Sequence, residues 1–264
     1  MPRLPTPAPA MRHVPPYAAL AAGYDAVMDH VDYGGWAAHV HALLSRHDAP
    51  GPRLLELAGG TGRLARHLQP MGPYRYLCTD GSAAMVRGAC RTARAASAAF
   101  CCARATFPAL ATAAVAHHAP FDAAVCCYDS VNYLRAPAAL GRLFARVAAL
   151  LRPGGVFVFD HVTPRHGHVH GDDFHDTGTT AAFSYRRTSA YDPSTQTQRT
   201  VFTLTRPDGT GAREVHVQRL YAPGTVAARL AESPLQVLGP YDGFTTRPAH
   251  DHSLRVHWAV RRPT

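Results

Sequence analysis

The 264-residue sequence contains no lysine, no isoleucine and a single asparagine, Asn132. The missing residue types have AT-rich codons, while Ala, Pro, Arg and His are abundant, so the skew has the form of a GC-rich coding bias acting at every position. The net charge of +9 is carried on arginine, and residues such as Arg63, Arg66, Arg87, Arg91, Arg94, Arg142 and Arg146 are scattered. A nucleic-acid surface would mass them in a block with interleaved aromatics, so no nucleic-acid partner is expected. No stretch approaches the roughly 20 apolar residues of a membrane span. The opening MPRLPTPAPAMRHVPP has arginines but no apolar block, which reads as a flexible Pro-rich tail and not a secretion signal. The six cysteines show no C-x-x-C spacing, and Cys101-Cys102 and Cys126-Cys127 are adjacent. Neighbours on a strand point to opposite faces, so neither pair can grip one metal; buried free thiols in a reducing compartment are expected. A soluble, cytoplasmic protein follows, and within the coding bias Asn132 stands out as a residue that something specific holds in place.

Hydrophobic residues make up 47% of the chain and charged residues 17%, enough for a sizeable core. Of 47 alanines, 37 precede residue 151 and only 3 lie between 151 and 200, so the first part reads as helix-rich and the next as something else. Residues 17–48 carry two helical patterns, one through Tyr17, Leu20, Tyr24, Val27 and Met28, the other through Trp36, Val40 and Leu43. Short apolar runs then alternate with helical patterns. Strands are expected at 53–57, 74–80, 99–103, 121–128 and 156–160, with helices near 61–69, 82–95 and 137–151. That βαβαβ rhythm argues for a parallel sheet covered on both faces. From 181 to 221 alternating strands replace it (182–191, 197–206 and 214–221), with Pro207-Asp208-Gly209 as a turn. Helix 225–232 and strands near 235–240 and 254–261 close the chain.

The strongest local signal is Leu54-Leu55-Glu56-Leu57-Ala58-Gly59-Gly60-Thr61-Gly62-Arg63-Leu64-Ala65, a strand, a glycine-rich turn and a helix start. Glycines there let a ligand approach the backbone and expose the helix N-terminus. Asp80 ends the next strand, placed to bond two vicinal ribose hydroxyls. The same residues satisfy the dinucleotide pattern G-x-G-x-x-A, so a nicotinamide oxidoreductase stays open on this motif alone.

Three further stretches narrow the choice: Tyr128-Asp129-Ser130-Val131-Asn132-Tyr133-Leu134 after a buried strand, Leu150-Leu151-Arg152-Pro153-Gly154-Gly155 before another, and Tyr24-Asp25-Ala26-Val27-Met28 with Asp32-Tyr33 and Trp36 ahead of the first. Together they resemble the class I S-adenosylmethionine-dependent methyltransferases, in particular the small-molecule branch that reads YD-x-L-M, DY-x-x-W, D-L-x-C-G-T-G, D-S-x-N-Y-L and L-x-P-G-G. The resemblance covers about residues 15–164 and continues weakly through 216–221 and 240–244. It implies an α/β, doubly wound, mostly parallel seven-stranded sheet of the Rossmann-like methyltransferase kind with an antiparallel β-insertion. The expected division is a tail and helical lid (1–50), a cofactor-binding core (51–164), an insertion forming the substrate pocket (165–222), and a last helix with closing strands (223–264).

The resemblance further implies that Glu56, Ala58, Gly59 and Gly60 line the methionine part of S-adenosylmethionine. Asp80 takes the ribose, Gly81 and Met85 lie against the adenine, and Cys127 and Tyr128 border the cofactor. Tyr17, Tyr24, Tyr33 and Trp36 cover it, aromatic faces being suited to a sulfonium cation. Two departures stand out: Ala58 replaces the first glycine of the motif, and Arg104 sits where relatives often carry an acid that bonds the adenine amine. Arg cannot accept a hydrogen bond, which leaves the adenine to the backbone at Ala105.

Methyl transfer needs positioning and water exclusion, and a base only if the acceptor sheds a proton. Asn132, Tyr133 and His216 are the candidate catalytic residues, with His161 and Tyr221 as further candidate bases. His166, His168, His170, Asp172, Asp173 and His175 have metal-ligand chemistry but sit in a Gly-containing stretch read as a loop, and no metal is expected. The expected activity is methyl transfer to N, O or C of a small molecule by a monomer or homodimer. Three alternatives stand beside it: a cyclase of the same fold that converts S-adenosylmethionine into azetidine-2-carboxylate and methylthioadenosine, the oxidoreductase, and a non-catalytic binding partner.

Overall fold

Strands buried on both faces must be apolar along their whole length, and Phe121–Cys126 is buried at every position. The computed structural model describes residues 11–96, 100–170 and 174–264. The chain begins with β1 (Met11–His13), followed by α1 (Tyr24–Val27) and α2 (Tyr33–Arg46). Next come β2 (Arg53–Glu56), α3 (Arg63–Leu68), β3 (Arg75–Asp80), α4 (Ala83–Ala95) and β4 (Phe100–Arg104). Then follow α5 (Ala113–His118), β5 (Phe121–Cys126), α6 (Pro137–Leu150), β6 (Leu151–Val162) and α7 (Pro164–His170). The remainder is β7 (Phe174–Thr179), β8 (Ser184–Asp192), β9 (Thr197–Thr205), β10 (Gly211–Arg219), α8 (Pro223–Ala231), β11 (Gln236–Asp242) and β12 (Arg255–Arg261).

Seven strands form one sheet in the order β11-β12-β6-β5-β2-β3-β4. Strands β2 to β6 run parallel, and β12 and β11 add antiparallel at one edge. Local sequence sets the covering helices. Asp32 caps α2 by accepting from Gly35 N at 2.8 Å, and the helix then buries Trp36, Ala37, Val40, Leu43 and Leu44 at helical spacing. Ser82 caps α4, and Pro137 opens α6, where a missing N–H costs nothing. The fold is the α/β arrangement expected from the resemblance.

A second sheet, β1-β10-β9-β8-β7, lies over the carboxyl ends of the parallel strands and is antiparallel except where β1 pairs with β10. Its face packs on the N-terminal segment: Leu20, Val27 and Met28 are buried with Phe183, Phe202 and Leu204. The second helical pattern, through Trp36, Val40 and Leu43, packs on the main sheet instead.

Several details differ from expectation. Residues 11–13 of the supposed tail form a strand, because Met11–His13 finds open backbone partners on β10; residues 1–10 lie outside the described part. Pro153-Gly154-Gly155 does not precede its strand. It lies within β6, where the partners jump from Phe121–Leu151 to Ala123–Val156, and Gly154 takes φ +79° to absorb the bulge. Residues 164–170 are helical, not a loop, and α5 and β7 were not anticipated. Among the thiols Cys78, Cys126 and Cys127 are buried, but Cys101 is exposed on an edge strand.

Asn132 occupies a place other than the one expected. It lines neither large cavity and is fully buried, and its amide is spent on backbone. Nδ2 donates to Val162 O (3.1 Å) on β6 and to Arg219 O (2.6 Å) on β10, while Oδ1 accepts from Val162 N (3.1 Å). Only an amide offers donors and an acceptor in this form, and the result is a clamp between the two sheets. Asn132→Ala leaves those buried groups unpaired and is expected to lower stability by about 2–4 kcal/mol in urea denaturation. Binding of S-adenosylhomocysteine to the folded fraction should change by less than about threefold. A variant of unchanged stability would refute the clamp.

Candidate active site

The turn after β2 cannot carry ordinary side chains throughout. A Cβ on Gly59 would lie 2.5 Å from Cys78 Sγ and 2.6 Å from Glu56 Oε2, whereas Gly60, at φ +58°, faces open space. Ala58 itself takes φ +53°, the left-handed region that a glycine enters without strain. The turn thus brings bare backbone to the wall of a cavity of about 700 Å³.

That cavity brings together every residue assigned above to the cofactor. Glu56, Ala58, Gly59, Gly60, Asp80, Gly81, Met85 and Ala105 form one wall. Tyr17, Tyr24, Tyr33, Trp36, Cys127 and Tyr128 form the cover and far side. Asp80 accepts from Gly60 N (3.0 Å) with one oxygen and from Ser82 N (2.7 Å) with the other. Burial raises its carboxyl above the usual range, and these two bonds offset part of the shift. Glu56 is buried, with Oε2 lacking a hydrogen-bond partner, and burial pushes it up to about 7 despite the Tyr76 hydroxyl and Cys78 thiol beside it. At the adenine end Ala105 N donates to Asp80 O at 3.1 Å, so the backbone group of Ala105 left to meet a base is its carbonyl. Arg104 turns back to donate from Nε to Gly81 O.

A second cavity of about 760 Å³ adjoins the first and shares Tyr17, Tyr24, Tyr128 and Tyr133 with it. Alternate residues of the second sheet supply its floor, with Ser189 from β8, Gln198, Thr200 and Phe202 from β9, and His216 and Gln218 from β10. At the junction runs a chain of hydrogen bonds. Tyr17 Oη lies 2.7 Å from Tyr133 Oη, Tyr133 Oη lies 2.8 Å from His216 Nδ1, and His216 Nε2 lies 3.2 Å from Glu214 Oε2. Burial pushes Tyr133 above the ordinary tyrosine range, so its hydroxyl keeps its proton. Burial would also raise Glu214, but bonds from His216 and from the backbone of Leu20, Ala19 and Tyr17 bring it below the usual range. An ionised Glu214 fixes the proton of His216 on Nε2 and leaves Nδ1 as an acceptor for Tyr133.

Between the cavities the turn Tyr128–Asp129 has φ +62° and +50°. Asp160 Oδ2 accepts from Asp129 N (2.9 Å) and pairs with Arg255, which also pairs with Asp129 Oδ1 (2.9 Å). The Arg255 guanidinium lies over the rings of Trp36 (5.1 Å) and Tyr128 (5.6 Å), both of which line the first cavity.

Glu214, Asp129, Asp160 and Arg255 were not read from the sequence as site residues. For Glu214 a signal was present: it is one of three glutamates, and Glu214-Val215-His216 puts acid and imidazole on one strand face. Of the remaining candidate bases, His161 is fully buried, its imidazole held down to about 4 by burial, and Tyr221 donates to Leu134 O from within the core. Neither lines either cavity. His166, His170 and His175 line the second cavity; Asp172 and Asp173 lie outside the described residues. Among the described residues no group of metal-binding side chains converges, and no helix is long and apolar enough to cross a membrane.

Residues 54–155 match the methyltransferase-domain family model. A protein of Geobacillus sp. (strain WCH70), provisionally named a methyltransferase, is 27% identical over 255 residues, covering 93% of this chain and 99% of its own. Among solved structures, an S-adenosylmethionine-dependent methyltransferase from Clostridium acetobutylicum ATCC 824 superposes with a TM-score of 0.76 at 22% identity, covering 91% of this chain and 96% of that one. A sugar N-methyltransferase from Streptoalloteichus sp ATCC 53650 gives 0.71 at 20% identity over 100% and 98%. The strand order, the glycine turn, the acid at the end of β3 and these likenesses agree in supporting a class I S-adenosylmethionine-dependent methyltransferase, with its methyltransferase domain at residues 54–155.

Proposed function

We propose that this methyltransferase acts on an amine or hydroxyl of a small polar molecule held in the second cavity, and that Tyr133 and His216 take up the proton the acceptor loses. The observation that carries this reading is the Tyr17–Tyr133–His216–Glu214 chain at the junction of the two cavities. A carbon nucleophile activated elsewhere has no use for it; an N–H or O–H nucleophile does. The sugar N-methyltransferase of the same fold supports an amino group as the acceptor and a polyhydroxylated body around it. Gln198, Gln218 and the Ser189–Thr200 pair supply donors and acceptors suited to hydroxyls.

The first cavity fits S-adenosylmethionine on its own chemistry. Glu56 offers an unpartnered carboxylate oxygen to an ammonium group, and Gly60 leaves room for backbone approach. Asp80 retains a free lone pair on each oxygen for vicinal hydroxyls. Glu56 with the backbone of Ala58, Gly59 and Gly60 holds the amino-acid end, and Asp80 holds the ribose. Gly81, Met85 and Ala105 flank the adenine through packing. Tyr17, Tyr24, Tyr33, Trp36, Cys127 and Tyr128 exclude water around the sulfonium. Bound there, the cofactor supplies an electrophilic methyl group. Tyr133 receives the acceptor's proton at Oη while passing its own to His216 Nδ1, so no tyrosinate forms, and Glu214 stabilises the resulting imidazolium at Nε2. A second cavity large enough for a separate acceptor molecule is not needed by a cyclisation within the cofactor, and nothing supports that alternative.

The decisive assay incubates the protein and cofactor with a panel of aminosugars, simple amines and polyols and follows products by mass spectrometry. A methylated amine or alcohol with S-adenosylhomocysteine is expected; methylthioadenosine from cofactor alone would overturn the reading. His216→Asn and Tyr133→Phe should each lower kcat by roughly a hundredfold with little change in cofactor affinity, and retention of full kcat would remove them from the proton path. Asp80→Ala should weaken S-adenosylhomocysteine binding at least about tenfold, or 1.4 kcal/mol, by calorimetry; an unchanged Kd would reject the ribose assignment. Glu56 adds a pH signature in the ligand-free protein. Its carboxyl ionises near the ordinary value when unfolded but holds its proton to about 7 when folded. Stability therefore falls as pH rises from about 4.5 to 7, by about 3 kcal/mol from this group. Glu56→Gln should flatten that decline in denaturation curves recorded at pH 5 and pH 8, and a decline as steep as wild type would locate the strain elsewhere.

A further inference from the structure

Residues Pro15, Pro16, Tyr17 and Ala18 form part of the wall of the cofactor cavity, so the segment they belong to covers whatever binds there. Its attachment is unusual. Tyr17 takes φ +62°, and its backbone is held at both ends: Tyr17 N donates to Glu214 Oε2 (2.6 Å), and Tyr17 O accepts from Ser82 Oγ (3.0 Å). The same carboxylate accepts from Ala19 N (2.6 Å) and Leu20 N (2.8 Å) through Oε1. Glu214 is fully buried, and among the described residues its partners are these lid amides and His216. No guanidinium pairs with it there.

We propose that Glu214 is a positioning residue that makes closure of the lid segment 17–20 and assembly of the proton-accepting chain a single event. The proposal rests on the assignment of Tyr133 and His216 to the proton path. With the lid seated, one carboxylate both satisfies its amides and fixes the Nε2–H tautomer of His216, and Tyr17 reaches Tyr133. With the lid lifted, Glu214 loses its three backbone donors, and a buried, sparsely bonded carboxylate takes up water or a proton. His216 then loses the partner that fixes its tautomer, and Tyr17 leaves Tyr133. The chain that accepts the acceptor's proton is therefore complete only over a covered cofactor, where water is excluded from the reacting groups.

Hydrogen exchange and imidazole NMR test this without turnover, with S-adenosylhomocysteine as the probe. In the wild-type protein, protection of the Tyr17, Ala19 and Leu20 amides and the Nε2–H tautomer of His216 should rise together as the probe is titrated. Glu214→Gln puts an amide where His216 and Tyr17 both donate. It should speed exchange of those three amides at least tenfold and release of the probe at least tenfold, while the amides of β2 and β5 keep wild-type protection. His216→Asn should leave both the protection and the release rate within threefold of wild type. The proposal is overturned if Glu214→Gln leaves the lid amides protected, or if His216→Asn frees them as much as Glu214→Gln does. Should Glu214→Gln not fold, the wild-type titration decides alone, and a His216 tautomer fixed while the lid amides still exchange freely overturns the coupling. If instead His216→Asn retains full turnover with a panel acceptor, the proton-path reading fails while the latch, read by exchange, stands.

Discussion

The two cavities depend on where the second sheet meets the parallel sheet, and the buried amide of Asn132 ties the two together at that joint. Asn132 leaves the turn after β5 and bonds the end of β6 on one side and the end of β10 on the other. Those bonds are buried, so each is worth more in place than lost, and shifting the cover by one residue would leave a carbonyl on either sheet unpaired. Because Tyr133 follows Asn132 directly, and His216 lies on the same strand as Arg219, the clamp that joins the sheets also sets the meeting of hydroxyl and imidazole. The two cavities meet beside that joint, sharing Tyr133 in their walls.

The charged groups around the cavities follow one rule with different outcomes. Burial acts to raise the carboxyls of Glu56, Asp160 and Glu214, and neighbouring donors decide how much of the rise survives. Glu56 has weak partners and ends near 7. Asp160 has Arg255 beside it but also Asp129, and ends near 6. Glu214 gathers His216 and three amides and falls below the usual range. For Glu56 and Glu214 the outcome matches the tasks proposed for them. A carboxyl waiting for an ammonium group is best left under-bonded, whereas one that must steady an imidazolium is best ionised beforehand, with no reorganisation left to do.

The parallel core was legible because strands buried on both faces leave unbroken apolar runs, and because the glycine turn, Asp80 and the stretch from Tyr128 to Leu134 keep their order. The wall of the first cavity followed from the family resemblance, since strand ends and the turns after them are local features. What lay beyond reach were pairings between distant residues. Met11-Arg12-His13 has no strand pattern of its own and is a strand only because β10 has an open edge. Composition singled out Asn132, but an amide reads the same whether it grips a ligand or two backbones. Glu214 meets Ala19 across 195 positions of sequence, and alternation on β10 could place it beside His216 without saying what else it held.

Strain completes the argument. Among the described residues six non-glycine residues take positive φ, and four of them, Tyr17, Ala58, Tyr128 and Asp129, line the two cavities. Each costs about 1 kcal/mol or more relative to a relaxed backbone. Three of the four are held by identifiable bonds: Tyr17 by Glu214 and Ser82, and the Tyr128–Asp129 turn by Asp160 and Arg255. Ala58 lacks such a tie and is offset only by the turn around it. At Tyr17 and at the Tyr128–Asp129 turn, strained backbone places side chains on the cavity walls, and the buried carboxylates Glu214 and Asp160 help to hold it there.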